Sequence, residues 1–294
     1  MVVTRLHSGL GNQMFQYAMV RRISLELDVP MKIDLSIQLD RAVNGGYTVR
    51  GYDLDLFSLS AQFLVPPSLL KALHAPRKRR WSNLVRRAAA FGMPILHEEQ
   101  FTVQETLVDT PPDGVIYRGY WQSERYFATA ASQIREDFKF RAPLLPGSRD
   151  IAATMATEAS VCLNVRRGET LQFPLHNVTD KAYYLDAMAE LKSRVPEAIF
   201  YVFSDDLAWC ESAFSEVSKV KFVTASHYGQ QYGNYLQLMT CCQHFIIPNS
   251  TFAWWAAWLG EKLDSLIYTP ERWFGTDELD YSDVVPERWL KVPN

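Results

Sequence analysis

The stretch TRLHSGLGNQMFQYAMV, residues 4–20, joins an apolar run to a helical pattern through a short polar loop. The surrounding pattern predicts a buried strand from Val2 to Leu6, an amphipathic helix from Asn12 to Leu27 and a second strand from Met31 to Leu35. A strand, a helix and a strand in this order make one βαβ unit, whose strands run parallel. The stretch therefore predicts an α/β fold.

The second half of the chain repeats this alternation more regularly. Strands are predicted at residues 161–165, 198–203, 221–223, 244–247 and 265–268, and helices at residues 182–195, 207–214, 234–242 and 251–259. Such alternation predicts a parallel sheet covered by helices on both faces. The segment FRAPLLPGSRD, residues 140–150, is the predicted linker because it contains two prolines and a glycine. We therefore expect two domains, residues 1–145 and 146–294.

The composition is that of a folded protein. Of the 294 residues, 48% are hydrophobic and 21% are charged, unlike the composition of disordered chains. The net charge of -3 argues against general nucleic-acid binding, which needs a basic surface, so we expect no nucleic acid among the partners. The four cysteines are too few for a disulfide framework, and we interpret them as buried thiols in a reducing compartment.

The sequence predicts a cytoplasmic protein. Its first residues show no basic stretch followed by an apolar one, so no secretory signal is visible. Its longest apolar run, from Phe252 to Leu259, is far shorter than the roughly 20 residues of a membrane span. The segment from Arg77 to Arg87 is rich in arginine and has two interpretations. It is either a solvated helix face or a patch that contacts the inner membrane peripherally or a lipid-linked substrate.

A glycine-containing loop, SGLGNQ at residues 8–13, leaves the first strand and enters the first helix. Ligands of parallel sheets bind at the carboxyl ends of strands, and glycines let the backbone approach a ligand there. The order is not G-x-G-x-x-G, so the dinucleotide-binding fingerprint is absent. A tight turn that needs positive φ explains the glycines equally well, but it leaves Asn12 and Gln13 unexplained.

Two arginines follow the predicted strand at residues 161–165, in the stretch VCLNVRRGE. Arginine is suited to bidentate recognition of phosphate, and the end of a parallel strand is where it would meet a ligand. The alternative is an interdomain salt bridge from Arg166 or Arg167 to Glu169 or Asp180. Two neighbouring arginines at this edge of the sheet favour an anion-binding site.

Acidic residues follow the next strand, in the stretch FYVFSDDLAW at residues 200–209. A carboxylate of Asp205 or Asp206 can accept two N–H bonds from a guanine edge or bind a ribose hydroxyl, and two carboxylates can hold a metal ion. The alternative is capping of the following helix, because serine and aspartate are favoured capping residues. Capping uses one residue of Ser204, Asp205 and Asp206 and leaves two for a ligand.

A third strand ends in a small polar turn, in the stretch IIPNSTFAWWAAWLG at residues 246–260. Asn249, Ser250 and Thr251 would offer hydroxyl and N–H groups at a helix N-terminus, which binds phosphate without a metal. The three tryptophans of this stretch have helical spacing and are expected in the core. The cysteines lack a second ligand pair at zinc spacing, so we expect no metal. Together these strand ends describe a site for a sugar nucleotide.

Across these motifs the chain resembles the bacterial α-1,2-fucosyltransferases of glycosyltransferase family eleven. The resemblance covers nearly the whole length in order. It rests on GLGNQMFQYA from Gly9, RGYDLDLF from Arg50, RGYWQSERYF from Arg118, LNVRRGE from Leu163, YYLDAM from Tyr183, FYVFSDDLAW from Phe200 and NSTFAWWAAWL from Asn249.

The resemblance implies a fold, a donor and a reaction. The fold would be of GT-B type, with two Rossmann-like domains whose parallel sheets face each other across a cleft. Residues 1–145 would form the acceptor side, and residues 146–294 would bind GDP-β-L-fucose. The enzyme would transfer L-fucose with inversion to the 2-hydroxyl of a terminal β-galactoside, without a metal, in O-antigen or other oligosaccharide biosynthesis.

The resemblance also implies roles for individual residues. Arg166 would stabilise the departing GDP, Asn12 would contact the reacting sugar, and Glu169 is a candidate general base, the alternative being that the proton passes to the departing phosphate. Acceptor contacts are assigned to His7, Gln13 and Trp121. The donor contacts are assigned to Gly11, Asn164, Arg167, Ser204, Asp205, Asp206, Asn249, Ser250, Thr251 and Phe252.

The chain departs from the family pattern His-x-Arg-Arg-Gly-Asp at two positions. Asn164 replaces the histidine and cannot carry its charge or its proton, and Glu169 moves the carboxylate one methylene further out. Two alternatives to the main interpretation therefore stay open. One is a fucosyltransferase with an acceptor other than galactose, and the other is a non-catalytic protein that binds a sugar nucleotide or a glycan.

Overall fold

The computed structural model describes residues 1–38, 51–59, 62–69, 85 and 92–294, and the chain divides into two compact units. Unit 1 comprises Met1–Arg141 and Ser282–Val284, and unit 2 comprises Ala142–Tyr281 and Val285–Asn294. The division near residue 141 falls inside the predicted linker, while the assignment of a function to each unit stays a prediction. The segment from Arg77 to Arg87 lies outside the described residues, except for residue 85.

Unit 1 is built on a parallel sheet of five short strands. The strands are β1 (Val2–Arg5), β2 (Met31–Asp34), β3 (Gln62–Phe63), β4 (Ile95–His97) and β5 (Ile116–Arg118). Their order in the sheet is β3-β2-β1-β5-β4, and every described pair is parallel. Strands β2 and β3 lie on one side of β1, and β5 and β4 lie on the other side. The topological switch point is therefore between β1 and β5. Open parallel sheets bind their ligands at the carboxyl ends of the strands beside such a point.

Helix α1 (Leu10–Glu26) is buried on almost every side. Thirteen of its 17 residues are buried, including the polar residues Gln13, Gln16 and Arg22. The prediction of an amphipathic helix is wrong here, because the polar side chains hydrogen-bond to backbone groups inside the unit and do not face solvent. Two shorter helices, α2 (Glu105–Asp109) and α3 (Ala131–Asp137), complete the regular helices described for this unit.

Arg22 shows how α1 is held in place. The side chain is 2% exposed, and its Nε donates to the carbonyl oxygen of Tyr126 at 2.8 Å. Its Nη2 donates to the carbonyl oxygen of Leu107 at 2.7 Å, and its Nη1 donates to that of Val108 at 3.0 Å. Nη1 also forms an ion pair with Glu26, one turn along the same helix. One guanidinium group therefore satisfies three backbone acceptors, two of them in buried hydrogen bonds and that of Val108 in a partly buried one.

Unit 1 also includes a short segment from near the end of the chain, Ser282–Val284. The carboxylate of Asp283 accepts a hydrogen bond from the backbone N–H of Val103 at 2.8 Å and forms an ion pair with Arg125 at 2.9 Å. The neighbouring Val284 is fully buried. The segment is therefore an integral part of the unit.

Unit 2 contains a parallel sheet of six strands. They are β6 (Ser160–Val165), β7 (Ile199–Ser204), β8 (Val220–Val223), β9 (His244–Ile246), β10 (Ile267–Pro270) and β11 (Leu290–Val292). The order is β11-β10-β9-β6-β7-β8, and every described pair is parallel. Counted from β6, this is the doubly wound order 3-2-1-4-5-6 read from the other edge, so the switch point lies between β6 and β9.

The helices of unit 2 are α4 (Pro146–Thr157), α5 (Lys181–Arg194), α6 (Leu207–Ala213), α7 (Gly233–Met239) and α8 (Thr251–Gly260). The predicted strands and helices of the second half are confirmed, with boundary shifts of a few residues. The linker, by contrast, is partly helical, because Pro146 begins α4 at a position where proline is favoured. Strand β11 was not predicted, since LKV is too short to show a period.

The core of unit 2 is aromatic around α8. Trp254 and Trp255 are fully buried and Trp258 is 2% exposed, which confirms the expectation that they belong to the core. All four cysteines are free thiols, and three of them are buried. The two all-parallel sheets confirm the predicted α/β class. Within the described ranges, no helix combines the length and apolarity needed to cross a membrane.

Candidate functional site

The loops after β6, β7 and β9 form one edge of unit 2, called here the unit 2 edge: residues 166–168, 205–206 and 248–250. Because β6 and β7 are neighbours, the two arginines meet the two aspartates. Nε of Arg166 lies 3.4 Å from Oδ2 of Asp205, and Nε of Arg167 lies 3.2 Å from Oδ2 of Asp206. The backbone N–H of Arg167 also donates to Oδ1 of Asp205 at 2.8 Å. The two arginines therefore pair with aspartates of the neighbouring strand end.

Asp206 serves two functions. Its Oδ1 accepts a hydrogen bond from the backbone N–H of Trp209 at 3.2 Å and so caps α6, as the capping alternative predicts. Its other oxygen pairs with Arg167, whose guanidinium lies 4.1 Å above the Trp209 ring. Ser204 is buried, and its hydroxyl accepts a hydrogen bond from the backbone N–H of Asp206 at 2.9 Å. Ser204 therefore orients Asp206 from within the sheet.

Arg166 is the more exposed of the two arginines, with 39% of its side-chain surface accessible. Its backbone N–H donates to the hydroxyl of Tyr184, which is fully buried and fixes the position of the loop. A Cβ at the following Gly168 would lie 2.9 Å from Oδ2 of Asp205, so a larger residue there would displace the carboxylate that pairs with Arg166. The Arg166 guanidinium is therefore accessible, while the backbone that carries it is held by Tyr184.

The side-chain amides of Asn164 and Asn249, both assigned to the donor, form hydrogen bonds to backbone carbonyl oxygens of unit 2. Asn164 is 6% exposed and donates to the carbonyl oxygen of Phe203 at 3.0 Å, across the β6–β7 pair. Asn249 donates to the carbonyl oxygens of His176 at 3.0 Å and Trp273 at 2.9 Å. Both amide nitrogens therefore hold the backbone around the unit 2 edge, and the assignment of the two residues as donor contacts stays a prediction.

The remaining assigned residues of this edge keep accessible surface. Ser250, Thr251 and Phe252 are half-buried at the first turn of α8, and the Ser250 side chain makes no capping hydrogen bond. Because β9 is adjacent to β6, this helix N-terminus lies beside the strand end that carries Arg166. A helix N-terminus and a guanidinium favour the same ligand, a phosphate group. The backbone of Glu169 begins a short 3₁₀ helix, Glu169–Gln172, and its side chain lies outside the described atoms.

In unit 1 the corresponding edge lies at the ends of β1 and β5. Oδ1 of Asn12 accepts a hydrogen bond from Nε2 of Gln122 at 2.9 Å, and the His7 ring packs edge-on against the Tyr120 ring at 4.7 Å. Gln122 is 6% exposed, and its Oε1 has no hydrogen-bond partner among the described residues. Sequence reasoning missed Gln122, although it lies within the quoted motif RGYWQSERYF. These four side chains, His7, Asn12, Tyr120 and Gln122, are called the unit 1 edge.

The other assigned residues of unit 1 support this edge from inside. Gln13 is fully buried, donates to the carbonyl oxygens of Ser8 and Gly51, both at 2.9 Å, and accepts from the backbone N–H of Asp53. Trp121 is fully buried as well, so neither side chain is accessible to an acceptor, and both assignments are corrected.

The glycine loop itself does not take the predicted turn. The residue with positive φ is Ser8, at 67°, whereas Gly9 has a φ of -84° and precedes the first turn of α1. Gly11 is buried inside that first turn. The tight-turn explanation of the glycines therefore fails. Gln13, by contrast, is explained by its hydrogen bonds to the loop residues Ser8, Gly51 and Asp53.

Glu98 holds the backbone of the unit 1 edge, a role that no motif in the sequence predicts. Its carboxylate accepts hydrogen bonds from two consecutive backbone N–H groups, those of Tyr120 at 2.6 Å and Trp121 at 2.9 Å. These bonds stabilise the left-handed backbone of Trp121, whose φ is 55°. Burial raises the pKa of Glu98 to about 7, although the two N–H groups act in the opposite direction. Burial, followed by the charge of Arg118, lowers the pKa of His7 to about 4.

We expect the pKa of Glu98 to appear in the pH dependence of stability. The ordinary pKa of 4.5 is raised to about 7 in the folded state, so the stability contribution of the protonated form is complete below about pH 4.5 and lost as the pH rises towards 7. His7 acts with the opposite sign between about pH 4 and 6.5, which is why the wild type alone is a poor test. Urea unfolding of the wild type and of Glu98→Gln at pH 5 and pH 8 isolates Glu98.

The wild type should lose more free energy of unfolding between these pH values than the variant, by at most about 3 kcal/mol. Equal pH dependence of the two proteins would show that Glu98 titrates normally.

Comparisons with known proteins agree with this architecture. The profile of the family described as Glycosyl transferase family 11 matches residues 101–279. The Alpha-1,2-colitosyltransferase of Escherichia coli is 29% identical to this chain over 99% of the chain and 98% of that protein. The Galactoside alpha-(1,2)-fucosyltransferase 1 of Bos taurus is 32% identical over 48% of this chain and 42% of that protein.

A solved structure is also similar, that of a mutant of Arabidopsis thaliana FUT1 in complex with GDP. It matches with a TM-score of 0.51 and 14% identity, over 92% of this chain and 71% of that chain. This likeness and the two parallel sheets confirm the GT-B type of fold. The family profile spans more than half of the chain and includes all three loops of the unit 2 edge, and the chain therefore belongs to glycosyltransferase family 11.

Proposed function

We propose that this glycosyltransferase moves L-fucose from GDP-β-L-fucose to the 2-hydroxyl of a terminal β-galactoside, with inversion at C1 of the fucose and without a metal ion. The observation that carries the proposal is the unit 2 edge. There the accessible guanidinium of Arg166 lies on the strand end beside the N-terminus of α8, at the switch point of the sheet. Both features favour a diphosphate.

Arg166 has the geometry of a group that stabilises a leaving phosphate. In the reaction, the acceptor 2-oxygen attacks C1 of fucose while the bond from C1 to the β-phosphate oxygen breaks, so negative charge accumulates on the GDP. The Arg166–Asp205 pair is only partly buried and its 3.4 Å separation is long for an ion pair, so the guanidinium can turn to the phosphate at small cost. A positive group that meets charge as it develops lowers the barrier.

Asp205 and Asp206 hold the arginines in place before the donor binds. Asp205 accepts from the backbone of Arg167, and Asp206 fixes the side chain of Arg167 while it caps α6. A carboxylate already paired with a guanidinium is a poor ligand for a divalent cation, which supports a metal-independent reaction. The proton of the acceptor hydroxyl passes either to Glu169 or to the departing phosphate, and both routes balance the reaction.

Unit 1 supplies the acceptor contacts in this proposal. Gln122 is a positioning residue in this proposal: its Oε1 is buried away from the surface, and its Nε2 donates to Oδ1 of Asn12 at 2.9 Å, which orients the Asn12 amide towards a sugar. His7 is neutral at physiological pH because its pKa is lowered to about 4, so its ring can exchange hydrogen bonds with hydroxyls. Asn12 and His7 keep their proposed roles, and Gln122 acts through Asn12.

A second donor is supported by one specific observation, the 29% identity over nearly the full length with an α-1,2-colitosyltransferase. Colitose is L-fucose without its 3-hydroxyl, so GDP-colitose and GDP-fucose differ at a single position of the sugar. The shorter match to a galactoside α-(1,2)-fucosyltransferase, at 32% identity, favours fucose. An acceptor other than galactose and a non-catalytic binding protein are the remaining alternatives.

The test is transfer from GDP-fucose and from GDP-colitose to lactose, lacto-N-biose and N-acetyllactosamine, in the presence of EDTA, with both GDP and the glycoside product measured. A product linked at the galactose 2-hydroxyl from GDP-fucose is expected. Faster transfer from GDP-colitose would identify GDP-colitose, and not GDP-fucose, as the donor. GDP release without a glycoside would keep the donor and reject the galactoside acceptors. Neither GDP release nor product from a folded protein would favour the non-catalytic alternative.

A further inference from the structure

Three tyrosines surround the loop after β8, next to the unit 2 edge. The hydroxyl of Tyr228 donates to the carbonyl oxygen of Ser204 at 3.1 Å, one residue before Asp205. The hydroxyl of Tyr235 accepts from the backbone N–H of Ser204 at 2.8 Å. The rings of Tyr228 and Tyr232 lie 4.9 Å apart, and those of Tyr228 and Tyr235 lie 4.7 Å apart. The cluster is therefore fixed to the strand end that carries Asp205.

Tyr232 is the unusual member of this cluster. It is 48% exposed, one of the more exposed large hydrophobic side chains of the described residues, although its ring packs against that of Tyr228. Its backbone is left-handed, with φ at 59°, and so is that of Gln231, with φ at 50°. A left-handed conformation costs about 1–3 kcal/mol for residues other than glycine. The loop therefore maintains an exposed aromatic ring at an energetic cost, which is typical of a binding surface.

The strand order predicts which part of a bound nucleotide lies next to the Tyr232 ring. In a doubly wound sheet a nucleotide extends from the switch point, where its phosphates bind, across the ends of the following strands. Here the phosphate end is β6 with Arg166, the next strand is β7 with Asp205, and β8 comes after it. The loop with Tyr232 follows β8, where the base would lie. This step rests on the proposed GDP donor.

We propose that the ring of Tyr232 stacks on the guanine base of the GDP-sugar donor, with Tyr228 supporting Tyr232 from below. A purine presents a flat π-face, and stacking on a tyrosine uses the ring and not the hydroxyl. The loss of one base–aromatic stack weakens binding by roughly 5- to 150-fold. The ring acts on bound donor and transition state alike, so its removal raises KM and leaves kcat nearly unchanged.

The test uses the full chain and compares the wild type with Tyr232→Phe and Tyr232→Asn. Phenylalanine keeps the ring, and asparagine removes it while tolerating the left-handed backbone better than alanine does. Calorimetry measures the binding of GDP and of inorganic pyrophosphate, which lacks the base. Tyr232→Asn should weaken GDP binding by the stated factor and leave pyrophosphate binding unchanged, and Tyr232→Phe should bind both like the wild type.

Each other outcome separates the two proposals. If GDP binds Tyr232→Asn as tightly as it binds the wild type, the stacking role is rejected and the proposed function stands. Equal weakening of GDP and pyrophosphate would mean that Tyr232 acts through the loop backbone, which also rejects stacking. If the wild type does not bind GDP, the proposed donor itself fails.

Discussion

Replacement of Arg166 by alanine is expected to lower kcat for sugar transfer by about 10²- to 10³-fold, because the variant loses a positive group that meets charge on the departing phosphate. The fold should not change. The Arg166 side chain is 39% exposed, its ion pair with Asp205 is long, and the loop is held by backbone contacts that alanine keeps. The effect therefore belongs to catalysis and not to stability.

The measurement is steady-state transfer with GDP-fucose, combined with a thermal unfolding curve for each protein. Arg194→Ala is the matched control, since Arg194 has a similarly exposed side chain in a local ion pair with Glu190 on α5. Arg166→Lys separates charge from the planar guanidinium, and it should recover only part of the rate. Near-normal turnover of Arg166→Ala would remove this arginine from the mechanism.

Replacement of Arg22 by alanine should lower the free energy of unfolding by about 3–5 kcal/mol, the largest stability effect we expect for the chain. The substitution opens a cavity and removes the donor from the buried carbonyl oxygens of Tyr126 and Leu107 and from the partly buried one of Val108. Arg22 also joins α1, which carries Asn12, to the segment Glu124–Ala130 that follows Gln122. Partial unfolding of this region should therefore reduce activity as well.

Urea denaturation of three variants tests this expectation. Arg22→Met fills most of the volume and still leaves the carbonyls unpaired, so it should lose most of the stability that Arg22→Ala loses. Lys139→Ala, which removes an exposed ion pair with Glu136, should change stability by less than about 0.5 kcal/mol. If Arg22→Met were as stable as the wild type, packing and not hydrogen bonding would explain the role of Arg22.

The sequence predicted unit 2 well for a physical reason. Its strands are mostly apolar runs and its helices other than α8 have polar faces, so the change of period marks most boundaries. Unit 1 was harder, because its strands have between two and four residues and α1 is buried with its polar side chains. Buried polar residues such as Gln13 and Arg22 look like surface residues in a sequence. Their partners are backbone groups far along the chain, which no local pattern reveals.

The site was predicted unevenly for a related reason. The arginines and aspartates follow neighbouring parallel strands, so the sequence predicted one site for all four residues, but it named Glu169 or Asp180 and not Asp205 and Asp206 as ion-pair partners of the arginines. Glu98 lies 22 residues before Tyr120, whose N–H it binds, and nothing in its own stretch suggests this contact. Trp121 was misassigned because an aromatic residue in a motif looks like a ligand contact until its burial is known.

Because Ser282–Val284 belongs to unit 1, the design of chimeras between related enzymes must take this segment into account. A chimera designed to change acceptor choice would ordinarily exchange one continuous block, residues 1–141. In this chain such a block leaves Asp283 behind, and with it the partner of Arg125 and of the Val103 N–H. Unit 1 is discontinuous in sequence, so a chimera that exchanges it between homologues must include both residues 1–141 and residues 282–284.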